Sequence, residues 1–299
     1  MATLNDNLNT QFDHDSSGGN LNDNIIAFLK NKGKTGTLND MLYSWATDEG
    51  GTGTLNDRLK AAFGTTGTLN DRMKSWVAFS NTYSLDFDGT DDYVNCGNDS
   101  SLQISGDITC SCWLKTSSAD SPMSLIDKLG SNTGMFIFLS SGKPRIWIGT
   151  GSAIVNYENI GSDLRDGAWH HLVVVNDEDV ATYVYIDGTA YNNGTATDMA
   201  VNTANNFNIG SYSTTSWIFE GKIDEVAIWN SALTASEITA IYNSGTPIAL
   251  DSDSGNYSSS ADLQGWWRME EGSGSSVADS SDNTNTGTIT GATFSTDVP

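Results

Sequence analysis

Phe87-Asp88-Gly89-Thr90-Asp91-Asp92-Tyr93-Val94 reads as the end of one strand, an acidic turn, and the start of the next. Gly and Asp supply the backbone freedom and local hydrogen bonding that a reversal needs, with apolar residues on both flanks. From about Ser84 onward the apolar period changes from 3.6 to 2. Short runs then follow between Gly, Asn, Asp and Ser turns: 84–87, 92–96, 108–115, 123–128, 135–140, 145–149, 169–176, 182–186, 206–209, 217–219 and 222–229. Such a series predicts two packed antiparallel sheets, with hairpin turn chemistry at Ser141-Gly142 and Asp187-Gly188. One helix interrupts it. Thr234-Ala235-Ser236-Glu237 forms a capping box, Ile238, Ile241 and Tyr242 an apolar stripe, and Asn243-Ser244-Gly245 a stop ahead of Pro247.

Five blocks carry a family resemblance: the opening Phe87–Val94 stretch; Cys112-Trp113-Leu114-Lys115; Trp169-His170-His171-Leu172-Val173-Val174; Tyr185-Ile186-Asp187-Gly188; and Phe219-Glu220-Gly221-Lys222-Ile223-Asp224-Glu225-Val226-Ala227-Ile228-Trp229 with its capped helix. In this order they resemble the laminin-G-like, concanavalin A-like jelly-roll domain. The resemblance implies a mainly β fold, a sandwich of two antiparallel sheets, in a family used mostly for binding glycans or proteins. Residues 81–247 would be that domain. Leu263-Gln264-Gly265-Trp266-Trp267-Arg268-Met269-Glu270-Glu271-Gly272, with Asp279-Ser280-Ser281 and Asn285-Thr286-Gly287-Thr288-Ile289, is similar to strands that normally precede the Phe-Asp-Gly block. Here it follows the helix. Within residues 248–299 this segment is too short to enclose a core, so it should add strands either to its own sheet or to a neighbour's.

In front of the sandwich the string Leu-Asn-Asp recurs at Leu4, Leu21, Leu38, Leu55 and Leu69, at spacings of 17, 17, 17 and 14. Apolar residues follow four and seven or eight positions on, among them Trp45, Phe63 and Trp76. Each copy therefore predicts a short α-helix, capped by Thr or Asn before the Leu and ended by Gly. Helices this short are marginal alone and need a packing partner. Residues 1–80 are accordingly expected to anchor or oligomerise the protein, and they resemble segments of tailed-phage structural proteins.

The 299 residues hold 14 Lys and Arg against 37 Asp and Glu, a net charge of −23. A balance this acidic argues against nucleic acid as a partner, since phosphate recognition needs a basic stripe. The start Met1-Ala2-Thr3-Leu4 shows no signal-peptide pattern, and no apolar run is long enough for membrane insertion. Cys96, Cys110 and Cys112 read as buried thiols; Cys110 and Cys112, two apart in a strand, are badly placed to pair. His14, between two Asp, reads as a polar turn.

Candidate chemistry is sparse. His170 and His171 have no Ser nucleophile elbow beside them and read as strand packing. Acidic neighbours such as Asp91-Asp92 and Asp224-Glu225 do not supply the two carboxylates about 5 to 9 Å apart across a groove that a glycosidase uses. The chain is expected not to be an enzyme. The resemblance implies a calcium ion held by Asp88 and Asp224, with a carbonyl from Gly221. Stacking on a sugar would fall to Trp217, Tyr212, Tyr157 or Trp147, near strand ends. Together these readings point to a virion structural protein of a phage, made in the host cytoplasm: a head decoration, head fibre or tail-associated protein. It would form a homo-oligomer, a trimer by analogy with fibres, touch other virion proteins, and turn a jelly roll toward surface glycans. The second reading is a cell-surface adhesin or extracellular filament subunit assembled by strand exchange.

Overall fold

A computed structural model describes residues 79–192, 194 and 197–299. The repeat residues Leu4, Leu21, Leu38, Leu55, Leu69, Trp45, Phe63 and Trp76, and His14 with them, lie outside the described residues. Residues 81–299 form one compact unit, in which every strand pairing is antiparallel.

Strands are numbered in chain order. Sheet I runs β10 (Thr189–Asn192), β9 (Ala181–Ile186), β8 (Trp169–Asp177), β3 (Ile108–Lys115), β12 (Glu220–Trp229), β1 (Ser84–Asp88) and β16 (Thr293–Ser295). β13 (Leu263–Trp267) pairs with the second half of β12, beyond the end of β1. Sheet II runs β14 (Ser276–Val277), β15 (Gly287–Thr290), β2 (Tyr93–Asn95), β11 (Asn208–Ile209), β4 (Met123–Asp127), β5 (Thr133–Ser140), β6 (Lys143–Thr150) and β7 (Ile154–Tyr157). The two sheets close on one apolar core. Leu85, Phe87, Cys110, Cys112, Leu172, Val174, Ile223 and Val226 enter it from sheet I, and Val94, Met135, Ile137, Ile146 and Ile209 from sheet II. All three cysteines are buried and unpaired, and burial raises their thiol pKa values, that of Cys112 to about 12.

Both predicted hairpin turns form with the left-handed dihedrals of a two-residue turn, at Ser141 (φ 53°) and Gly142 (φ 79°) and at Asp187 (φ 51°) and Gly188 (φ 74°). Helix α1 (Ala235–Tyr242) carries the predicted box: Glu237 N–H donates to Thr234 Oγ1 at 3.3 Å, and Thr234 N–H to Glu237 Oε2 at 2.9 Å. Burial opposes ionisation of Glu237, but hydrogen bonds from Ser259, Thr234 and Ser258 outweigh it and bring the pKa to about 2. One expectation fails. The 217–219 run is not a strand, because Trp217 sits at φ 52°, closing a small hairpin whose Tyr212 bridges Ser216. β7 and β10 were not expected. They are four-residue edge strands whose polar residues hide the alternation.

The C-terminal segment adds to both sheets of its own chain. β13 and β16 join sheet I, β14 and β15 join sheet II, and Trp267 is buried in the core, donating from Nε1 to Asn285 O at 2.6 Å. It thus occupies edges that residues 81–247 leave open beside β1, β2 and β12.

Candidate functional site

Strand β5 alternates: Met135, Ile137 and Leu139 point into the core, so Phe136 and Phe138 point to the outer face of sheet II. Those two rings stack with centroids 4.6 Å apart, yet are 0% and 1% exposed. Three half-buried aromatics cover them. Trp147 comes from the outward face of β6, and Tyr212 and Trp217 from the hairpin at 212–217. Trp217 lies 5.7 Å from Phe136 and 5.3 Å from Phe138, Tyr212 lies 5.2 Å from Trp217 in a stacked arrangement, and Trp147 meets Trp217 edge-on at 5.6 Å. The hairpin is pinned from below: Ser213 N–H donates to Asp127 Oδ2 at 2.9 Å, and Ser124 N–H to Trp217 O at 2.7 Å. Three of the four residues expected to stack on a sugar therefore share one apolar platform.

A polar rim borders it. Asn156 Oδ1 accepts from Trp147 Nε1 at 3.0 Å and from Arg145 Nε at 2.8 Å, while Arg145 also pairs with Glu158 at 3.0 Å. The guanidinium lies 5.8 Å from the Phe138 ring centroid and 5.9 Å from that of Trp147. These bonds fix the Trp147 indole, which reduces the conformational entropy a ligand must overcome. The fourth aromatic is elsewhere. Tyr157 faces the sandwich core at 6% exposure, and its hydroxyl bonds to Thr197 Oγ1, so it leaves the ligand set.

The structure does not bring the expected calcium ligands together. Asp88 lies opposite Glu220, four residues along β12 from Asp224, which is about 13 Å of strand. Asp224 is fully buried, accepts from Asn81 Nδ2 at 2.9 Å, and has its pKa raised mainly by burial and then by Glu225 beside it. Gly221 has a packing role instead. At φ 135°, a Cβ there would come within 2.3 Å of Lys115 O, so only glycine lets β12 pass this close to β3. Asp88 has other acidic neighbours: ligand oxygens of Asp88, Asp91 and Asp92 lie within 4.8 Å of one another. The turn is braced by Asp88 N–H to Asp92 Oδ2 and Thr90 N–H to Asp88 Oδ1, each 2.8 Å. Burial raises the Asp92 pKa, and repulsion from Asp88, Asp91 and Asp86 adds to it against a backbone hydrogen bond. Hard carboxylate oxygens at this spacing fit a calcium ion.

The histidines pack. His171 is buried with its pKa lowered to about 3 by desolvation, and His170 bridges Asp187 and Asp166 at 2.8 and 3.1 Å. Glu225 is buried beside Asp224, accepting from Trp266 Nε1 at 2.6 Å and lying 3.5 Å from Arg268.

A search of curated proteins finds no match to this sequence. Among solved structures, a Bacteroides ovatus protein described as carbohydrate binding superposes with a TM-score of 0.56 at 15% identity, covering 74% of this chain and 62% of its own length. The chain thus spans about three fifths of that protein. Domains LG4-5 of the mouse laminin alpha1 chain match with a TM-score of 0.40 at 16% identity, over 54% of this chain and 45% of theirs. Domain 4 of an extracellular GH43 arabinanase from Geobacillus stearothermophilus, solved with arabinotriose, gives 0.39 at 25% identity, over 48% and 69%. A profile of the concanavalin A-like lectin/glucanases superfamily matches residues 88–239, just over half of the sequence. With two antiparallel sheets formed from the same blocks, the chain belongs to the concanavalin A-like lectin/glucanases superfamily.

Proposed function

We propose that this protein is a non-enzymatic glycan-binding structural protein, and that the outer face of sheet II is where it meets sugar. The carrying observation is the convergence of Trp147, Tyr212 and Trp217 on one platform with Asn156 and Arg145 at its rim. An apolar pyranose face stacks on such rings while fixed amide and guanidinium groups read hydroxyls. Trp217 touches both Trp147 and Tyr212, so the platform fits a single sugar ring better than an extended chain. The Bacteroides neighbour, described as carbohydrate binding, supports the ligand class. A binding role suits the acids as well: Asp224 and Glu225, at 0% and 3% exposure, are closed to a substrate.

The wider setting in this reading is a phage virion, where the Leu-Asn-Asp repeats anchor a homo-oligomer to other virion proteins and the sandwich faces outward. The alternative is a cell-surface or extracellular filament built by exchange of the C-terminal strands. Calcium, in either setting, is held by Asp88, Asp91 and Asp92. Binding of a mixed glycan array by the full chain, lost in both Trp147→Ala and Trp217→Ala while the melting transition survives, is the expected result. An array profile unchanged in both variants overturns the site. Light scattering of the full chain beside a form lacking residues 1–80 tests the anchoring role, which fails if the shortened form keeps the full-length assembly.

A further inference from the structure

A polar platform crosses sheet I. Trp169, Lys115, Lys222 and Asp86 are register partners on the adjacent strands β8, β3, β12 and β1, so their side chains stand in one transverse row. Two lysines directly opposite each other are unfavourable unless an anion joins them. The anion here comes from the same chain. Asp297 Oδ1 accepts from Lys115 Nζ at 3.1 Å and from Trp169 Nε1 at 3.0 Å. Its Oδ2 accepts from Lys115 Nζ at 2.8 Å and lies 3.9 Å from Lys222 Nζ, which also pairs with Asp86 at 3.2 Å. The peptide around it is held too, by Ser84 Oγ donating to Asp297 O at 2.7 Å and Asp297 N–H donating to Ser295 Oγ at 3.2 Å.

We propose that Trp169, Lys115 and Lys222 form an anion-recognition site for the carboxylate of an acidic sugar, with Asp297 as a tethered competitor that occupies it in the absence of ligand. Four features favour this over a plain latch. The site already presents the Lys115 ammonium to both oxygens of one carboxylate and the Trp169 indole N–H to one of them, with the Lys222 ammonium 3.9 Å away, an arrangement suited to charge-assisted recognition. Solvent reaches it, since the Asp297 side chain is 39% exposed and Lys115 29%. With Asp297 gone, the row holds two cations against Asp86 alone, a local positive excess on a chain of net charge −23. The half-buried Trp169 ring gives a sugar something to lie against.

The inference leans on the glycan-binding reading only for the sugar that carries the carboxylate, and the two fail separately. Sodium glucuronate and glucose are titrated in parallel against the full chain and its variants by calorimetry, at low and high salt. A tethered group competes at an effective concentration in the millimolar range, so Asp297→Ala should tighten glucuronate binding about tenfold or more. Lys115→Ala in the Asp297→Ala background should abolish the gain, and salt should weaken it. Asp297→Asn, which keeps an acceptor for Lys115 and Trp169, covers the case in which Asp297→Ala loosens the tail. The tightening caused by Asp297→Ala should persist in the Trp147→Ala background; a gain that disappears there would place the acid at the aromatic platform and overturn the proposal. It also falls if neither Asp297 variant binds glucuronate more tightly than the unaltered chain. Binding restricted to the peptide Ser-Thr-Asp-Val-Pro would overturn it as well, in favour of a structural latch.

Discussion

Trp113 and His171, register partners on β3 and β8, stack with ring centroids 4.8 Å apart and planes inclined by 25°, and Tyr242 of helix α1 packs across both, 6.0 Å from Trp113 and 6.1 Å from His171. The helix is docked on the Trp113–His171 pair, in which the imidazole works as a flat apolar ring. Its Nδ1 is buried without a hydrogen-bond partner, so the polar atom adds cost rather than holding power.

His171→Phe should therefore fold with stability within about 1.5 kcal/mol of the unaltered chain, because ring shape is kept and an unpartnered nitrogen is removed. His171→Ala should lose about 2 to 4 kcal/mol through the cavity left under Tyr242. Urea denaturation of both variants decides this. A larger loss in Phe than in Ala would show that the imidazole does polar work.

Phe136 lies beneath Tyr212, Trp217 and Trp147, with centroids at 4.9, 5.7 and 5.8 Å. Phe136→Ala should cost about 3 to 5 kcal/mol and also loosen the platform above it. Near-ultraviolet circular dichroism would report the lost aromatic packing. An unchanged signal beside a lowered melting temperature would separate the platform from the ring below it.

His170 has a raised pKa because Asp187, and after it Asp166, bond to the ring against the opposing effect of burial. A raised folded value means the protonated ring stabilises the fold fully below the unfolded pKa of about 6.5 and that this contribution disappears as pH rises through the folded value. The stability gap between the unaltered chain and His170→Gln should be largest near pH 5.5, at up to about 1 kcal/mol for so exposed a pair, and shrink toward pH 9. A gap that widens with pH would contradict this origin.

Calcium at Asp88, Asp91 and Asp92 should raise the melting temperature, following a linkage of about 2.7 kcal/mol at a hundred times the dissociation constant. Asp92→Asn should blunt the response and Asp224→Asn should leave it in place. Identical melting in saturating calcium and in chelator would remove the acidic turn as a metal site.

Ten of the eleven period-two runs fall on strands, because apolar residues two apart, such as Leu85 with Phe87 and Cys110 with Cys112, face one core. Capping and hairpin chemistry were legible for the same reason: Thr234 with Glu237 and Asp187 with Gly188 act over a few residues. What could not be read was convergence. Trp147 and Trp217 are 70 positions apart, and only the left-handed backbone at Trp217 turns its ring toward β5 and β6. Tyr157 looked like a loop residue because the strand carrying it is short. The Asp88–Asp224 pairing failed on register: β1 sets Asp88 opposite Glu220, and such a register is not visible in composition. The alternation Phe136, Phe138 against Met135, Ile137 did contain the signal of an outward aromatic floor.

Ser84 and Ser295 stand opposite each other where β1 begins and β16 ends, so segments on either side of the sandwich leave from one corner. A pull between those segments loads the β1–β16 ladder from its end and opens it pair by pair, a weak direction for an antiparallel ladder. Three register pairs and the Asp297 lock resist that peeling, together with the anchors of the leading segment on Asp224 and Glu270. Tension applied through the leading segment alone, with no opposing pull on the trailing one, would leave the β1–β16 ladder unloaded.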